Sequence, residues 1–199
     1  MKSSVDLLYD DYIALKSLLE STKEVSLLSS YTNTFRKVLI LSCGSYFEEQ
    51  VTKILKKYAY KCSSGDDKLV NFIYNQAIVG KYHTLFDWGK QNDPDSPKKT
   101  ANRFYSLFGV EFAEEVKTEL KSETTRFGNK SECINQAITA FLELGHLRNI
   151  LVHNNFAEYS YNQKTPEDIY NLYKDAIFFV AYIKDILLGN NRIIPLGCE

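Results

Sequence analysis

The chain of 199 residues is 44% hydrophobic, enough for one domain with a sizeable core and too short for two comfortable ones. Its 24 basic and 25 acidic residues give a net charge of −1, which excludes a global field that gathers nucleic acid and leaves any RNA binding to a local patch. Cys43, Cys62, Cys133 and Cys198 stand at wide spacings without a Cys-x-x-Cys pair, which argues against zinc and reads as reduced thiols.

The opening residues carry no apolar signal core, and no stretch approaches the roughly 18 apolar residues of a membrane span. A cytoplasmic protein without membrane attachment is therefore expected, as a single domain over residues 1–199 with its core at about 5–188 and a flexible tail over 189–199.

Residues 5–22 place Leu8, Tyr12, Leu15 and Leu19 at helical spacing, an amphipathic helix. A longer helix spans about 29–61, with Phe35, Val38, Leu39, Phe47, Val51, Ile54, Leu55 and Tyr58 on its buried side. Gly44 inside it costs roughly 1 kcal/mol relative to alanine, so close approach of another backbone, or a kink, is expected there. Glu48 and Glu49 follow; either is placed to meet a cation on a neighbouring helix, or both are solvated, with Lys53 one turn beyond Glu49.

Ser63-Ser64-Gly65-Asp66-Asp67 is turn chemistry with an N-cap candidate, and a third helix follows with Leu69, Phe72, Ile73, Gln76 and Ala77 on its apolar side and an end near Gly80. Residues 81–90 hold the lone tryptophan, Trp88, and His83; their aromatics read first as core, with base stacking as the alternative. Residues 91–100, with Pro94, Pro97, Lys98 and Lys99, predict a mobile basic loop. Short helices follow over 101–108, closed by Gly109, and about 112–124, whose Glu114, Glu115, Lys117, Glu119 and Lys121 read as a solvated face.

Ser131 and Glu132 can start the next helix, which carries Ile134, Ala137, Ile138, Phe141, Leu144, Leu147 and Leu151 as its apolar stripe. Asn154 and Asn155 stop it, and Tyr159 and Tyr161 follow in a loop. Thr165, Pro166 and an acidic first turn then cap a final helix that ends at Gly189. Every long apolar pattern has a 3.6-residue period, so the fold class is all-α: a bundle of about five main helices plus short ones, with strand content near zero.

One cluster interrupts the apolar pattern. Arg148, Asn149 and His153 lie near the end of the helix that begins at Ser131; at about 100° per residue, Asn149 and His153 share a face and Arg148 stands roughly 140° from His153. An imidazole moves protons near neutral pH, a guanidinium holds phosphate, and an amide orients either, which are the parts of a metal-free RNA cleavage driven by the 2′-hydroxyl. The same residues also suit a helix cap and a solvated surface arginine. His146, two turns before His153, is a further candidate for the same cleft, as is Asn154.

Arg148-Asn149-x-x-x-His153 resembles the Arg-x4-6-His signature of the HEPN superfamily. With Ser45-Tyr46-Phe47-Glu48-Glu49 on an early helix and Phe104-Tyr105-Ser106-Leu107-Phe108-Gly109 midway, the chain is similar to the RiboL-PSP-HEPN and MAE_28990-like branch over most of residues 25–188. The resemblance implies a helical bundle of HEPN type that dimerises, joining two Arg/His pairs into one composite ribonuclease cleft.

The expected activity is a metal-independent endoribonuclease, a toxin or phage-defence effector, with no cofactor and no metal. Arg148, His153 and Asn149 are its catalytic candidates; Glu48, Glu49, Asn154, His146, Lys98 and Lys99 are candidates for substrate binding or support. RNA, a second copy, and an antitoxin or defence-system protein are the expected partners. The alternative is a non-catalytic module of the same fold that binds a partner protein or a nucleotide.

Overall fold

The computed structural model describes residues 2–89, 99–154, 156 and 164–189. Five longer helices carry the bundle: α1 Ser4–Ser21, α2 Val25–Cys62, α6 Val110–Glu119, α7 Ser131–His153 and α8 Pro166–Leu188. Three short ones, α3 Asp67–Ile73, α4 Tyr82–Leu85 and α5 Asn102–Ser106, fill the connections, and α3 runs on into a π-helical turn at Tyr74–Ile78. Strand among the described residues is limited to a two-stranded antiparallel ribbon, β1 Asp87–Trp88 with β2 Lys99–Thr100, and an isolated Thr124–Lys130 bridge. The all-α fold read from periodicity is the fold observed.

α7 is the central helix, packed along α8 and against α2, with the β-ribbon on a further side. α2 and α7 run antiparallel, since Lys37 meets Phe156, Gly44 meets Arg148 and Phe47 meets Phe141 in turn. An aromatic cluster fills the space between them: Phe141 packs against Phe47, Phe86, Trp88 and Phe179, and Phe86 stacks on Phe104 with centroids 4.9 Å apart. Burying each such ring contributes roughly 1.5–3 kcal/mol. Residues 81–89 thus supply core, with Tyr82, Phe86 and Trp88 all buried.

Capping holds the outer helices in place. Thr165 and Asp168 form a capping box behind Pro166, and Gly189 ends α8 in the left-handed conformation at φ 68°. Ser3 and Asp6 form a second box on α1, which α8 grips: Tyr173 donates to Ser3 Oγ at 2.6 Å, Tyr170 donates to Asp6 Oδ1 at 2.8 Å, and Tyr9 stacks on Tyr170 at 3.8 Å.

Several local expectations are corrected. On α3, Val70 is buried while Leu69 and Phe72 are exposed, so the face turned to the bundle is not the one that the apolar pattern marked. Leu15 on α1 is exposed. Glu119 is not a solvated charge: its side chain is 8% exposed and pairs with Arg126, which folds back over it. α7 does start at Ser131 with Glu132 in its first turn, and the buried Ser131 side chain donates to the Glu119 carbonyl at 3.1 Å. Cys43 and Cys62 are free thiols, whereas Cys133 is in a disulfide. Among the described residues no helix is long and apolar enough to cross a membrane. Of the tail expected over 189–199, residues 190–199 lie outside the described residues, as do residues 91–98 of the loop expected over 91–100 and the Tyr159–Tyr161 segment; the last two residues of that loop, Lys99–Thr100, are strand β2.

Candidate functional site

The site is built where the last turns of α7 cross the middle of α2. Most of α7 from Ala140 to Leu147 is buried, and beyond that stretch the helix returns to solvent at its end, where Val152, His153 and Asn154 are exposed. That geometry corrects the reading of His146. It shares a helical face with His153, but two turns earlier this face is covered, and at 1% exposure His146 belongs to the interior and not to a solvent-facing cleft.

Arg148 is held from several sides. Its Nη2 stands 3.5 Å from Glu48 Oε2 on α2, and its Nη1 donates to Asn149 Oδ1 at 3.2 Å. Its aliphatic stem crosses α2 at Gly44, where an added Cβ would lie 2.7 Å from Arg148 Cγ. Gly44 is thus explained by a side chain and not by a backbone: the missing Cβ is the groove through which Arg148 reaches Glu48. Tyr82 lies behind this pair. Burial raises its phenol well above its ordinary value, with Glu48 adding to the rise and Arg148 opposing it. A quarter of the Arg148 side chain remains exposed, so the guanidinium is oriented yet reachable.

His153 is the last residue of α7 and is exposed. It lies about 7.5 Å farther along the helix axis than Arg148, at 1.5 Å per residue. Asn154 caps the end, its backbone N–H and its Nδ2 both donating to the Ile150 carbonyl at 3.1 and 2.7 Å. The extended backbone of Asn154 then carries the chain toward α2, where Lys37 Nζ donates to the Phe156 carbonyl at 2.7 Å.

Of the remaining candidates, Glu48 joins Arg148 and Glu49 does not: it pairs with Lys53 at 2.7 Å on an exposed stretch of α2. Asn149 is engaged by Arg148. Lys99 pairs in the β-ribbon opposite Trp88 and lines a cavity of about 400 Å³ against the middle of α7, with Asn135, Thr139 and Glu143, away from His153. Lys98 lies outside the described residues. Among the described residues no three of His, Cys, Asp and Glu come together as metal ligands.

Lys37 and Tyr82 were not singled out by sequence. Lys37 carries a faint signal, since it stands seven residues before Gly44 and hence two turns along the same face of α2. Tyr82 carries none, because its place depends on how α4 folds back over α2.

No curated protein and no solved structure matches the chain. The model of the RiboL-PSP-HEPN family matches residues 8–189, a span that holds α2, α7 and α8 whole, and the chain belongs to that family.

Proposed function

We propose that the protein is a metal-independent endoribonuclease, acting as a toxin or defence effector. The observation that carries this reading is the pre-set Arg148, fixed by Glu48, Asn149 and the Gly44 groove, one and a half turns before an exposed His153. A guanidinium held in place costs little further ordering when phosphate arrives.

In the proposed reaction a 2′-hydroxyl attacks its own phosphorus while one imidazole takes the 2′ proton. The P–O5′ bond breaks, and the leaving 5′-oxygen takes a proton from a second imidazole. Arg148 holds the extra charge of the phosphorane-like transition state. The products are a 2′,3′-cyclic phosphate and a 5′-hydroxyl.

One chain offers one such histidine at this end, so the two proton transfers call for two copies related by a C2 axis. The exposed surface beside His153 suits that arrangement, since Val152 is 53% exposed and Phe156 38% exposed, an apolar rim around a polar pair. The same rim supports a second reading, a non-catalytic module that docks a partner protein such as an antitoxin.

Incubation of purified protein with RNA in excess EDTA separates the readings. Cleavage that persists under chelation, leaves cyclic phosphate ends, spares DNA and is lost in His153→Ala supports the nuclease. Cleavage that requires added magnesium, or 3′-hydroxyl products, overturns the assigned chemistry; absence of cleavage with growth arrest equal in wild type and His153→Ala favours the docking module.

A further inference from the structure

We propose that Lys37 on α2 is a positioning residue for His153, and that α2 sets the spacing between the two halves of the Arg148/His153 pair. In its kinetic consequences this inference rests on the ribonuclease reading above.

His153 ends α7, so no following helical turn fixes where its imidazole stands. The chain direction after it is set by contacts of the residues that follow. Two anchors hold them. Asn154 closes back onto the Ile150 carbonyl of α7 through both its backbone N–H and Nδ2. Three residues past His153, Lys37 Nζ of α2 donates to the Phe156 carbonyl at 2.7 Å and lies 5.2 Å from the centroid of the Phe156 ring. The carbonyl contact fixes the backbone, and the ring contact fixes the side from which the segment approaches.

Lys37 and Glu48 are then equivalent parts of one device. Along α2 the order Lys37, Gly44, Glu48 runs antiparallel to Phe156, then Arg148 on α7. Glu48 holds the guanidinium, Gly44 admits its stem, and Lys37 holds the segment that leaves His153. A single rigid helix therefore references both functional side chains, which a helix terminus alone cannot do. A change at Lys37 should alter how His153 is presented without touching Arg148.

The test uses the full-length chain with Lys37→Gln and Lys37→Arg. Lys37→Gln should lower kcat on an RNA oligonucleotide by about tenfold to a hundredfold with KM little changed, as expected for a displaced proton-transfer group, and Lys37→Arg should restore most of it. Backbone heteronuclear NOE values at Val152, His153 and Asn154 should fall in Lys37→Gln and stay at the wild-type level in Lys37→Arg, a readout that does not depend on activity. Unchanged kcat and NOE values in Lys37→Gln overturn the inference, as does a rise in KM alone, which would make Lys37 a contact to RNA. If wild type and His153→Ala are equally inactive on RNA, the ribonuclease reading fails, and the NOE comparison still decides whether Lys37 holds this segment.

Discussion

Arg148 occupies the space that a side chain on Gly44 would fill: a Cβ at Gly44 would lie 2.7 Å from Arg148 Cγ and 3.2 Å from its Cβ. Gly44→Ala sets two effects against each other. Helix propensity gains up to about 1 kcal/mol in the interior of α2, while the new methyl pushes the Arg148 stem out of its groove. The expected outcome is a melting temperature near that of wild type with RNA cleavage reduced at least about tenfold, since the guanidinium no longer reaches Glu48 in the same geometry. Cleavage at the wild-type rate in a folded Gly44→Ala protein would show that the position of Arg148 does not matter.

Arg148→Lys keeps the charge and loses the planar fork that engages Glu48 and Asn149 together. Loss of one such stabilising group typically costs about 10² to 10³ in kcat. Single-turnover cleavage of RNA by the variant, beside its circular dichroism, checks this. A loss below about threefold would place Arg148 outside the chemistry.

Asp185 on α8 is buried at 2% exposure, its Oδ1 has no hydrogen-bond partner among the described residues, and burial pushes its carboxyl up to about 6, opposed only weakly by Lys184. The native state therefore favours the protonated form. The destabilisation this causes is absent below the ordinary carboxylate value of 3.8, grows as pH rises toward 6, and is complete above it. Asp185→Asn cannot ionise, so its stability relative to wild type should improve by about 1–3 kcal/mol between pH 4 and pH 7. Urea melts at the two pH values measure the difference; a constant offset would mean that Asp185 does not ionise over this range.

Gly145 stands one turn before Arg148, and a Cβ there would overlap the six-membered ring of Trp88. Neither a rigid indole nor a central helix can yield cheaply. Gly145→Ala should cost at least about 1–3 kcal/mol, the usual range for overpacking, and calorimetric unfolding should show it. A variant as stable as wild type would mean that the ring and α7 separate more readily than their packing implies.

Helix positions and caps were legible because they depend on local chemistry: the period of α7 and α8, the turn before α3, and Thr165-Pro166 with Gly189 at α8 are all properties of short stretches. The pairing of Glu48 with Arg148 was legible only as one option, since it depends on two helices one hundred residues apart in sequence meeting in the right register. The face of α3 was misread because hydropathy does not say which apolar side chains of a seven-residue helix its neighbours cover. His146 was ranked by angle alone, and angle carries no information on how far along a helix the covering neighbours extend. Lys37 and Tyr82 escaped for the same reason: each acts through a partner from a different helix or turn.

Trp88 is the sole tryptophan of the chain, and its ring lies against Gly145 on the same helix that ends in His153. Its Nε1 donates to the His83 carbonyl at 3.0 Å, so the indole is held on both its polar and its apolar side. The molecule therefore carries a built-in optical gauge of α7. Any ligand, second copy or partner that shifts or tilts this helix must change the polarity and quenching around a single fluorophore, and the emission of the unlabelled protein follows that event without interference from another indole.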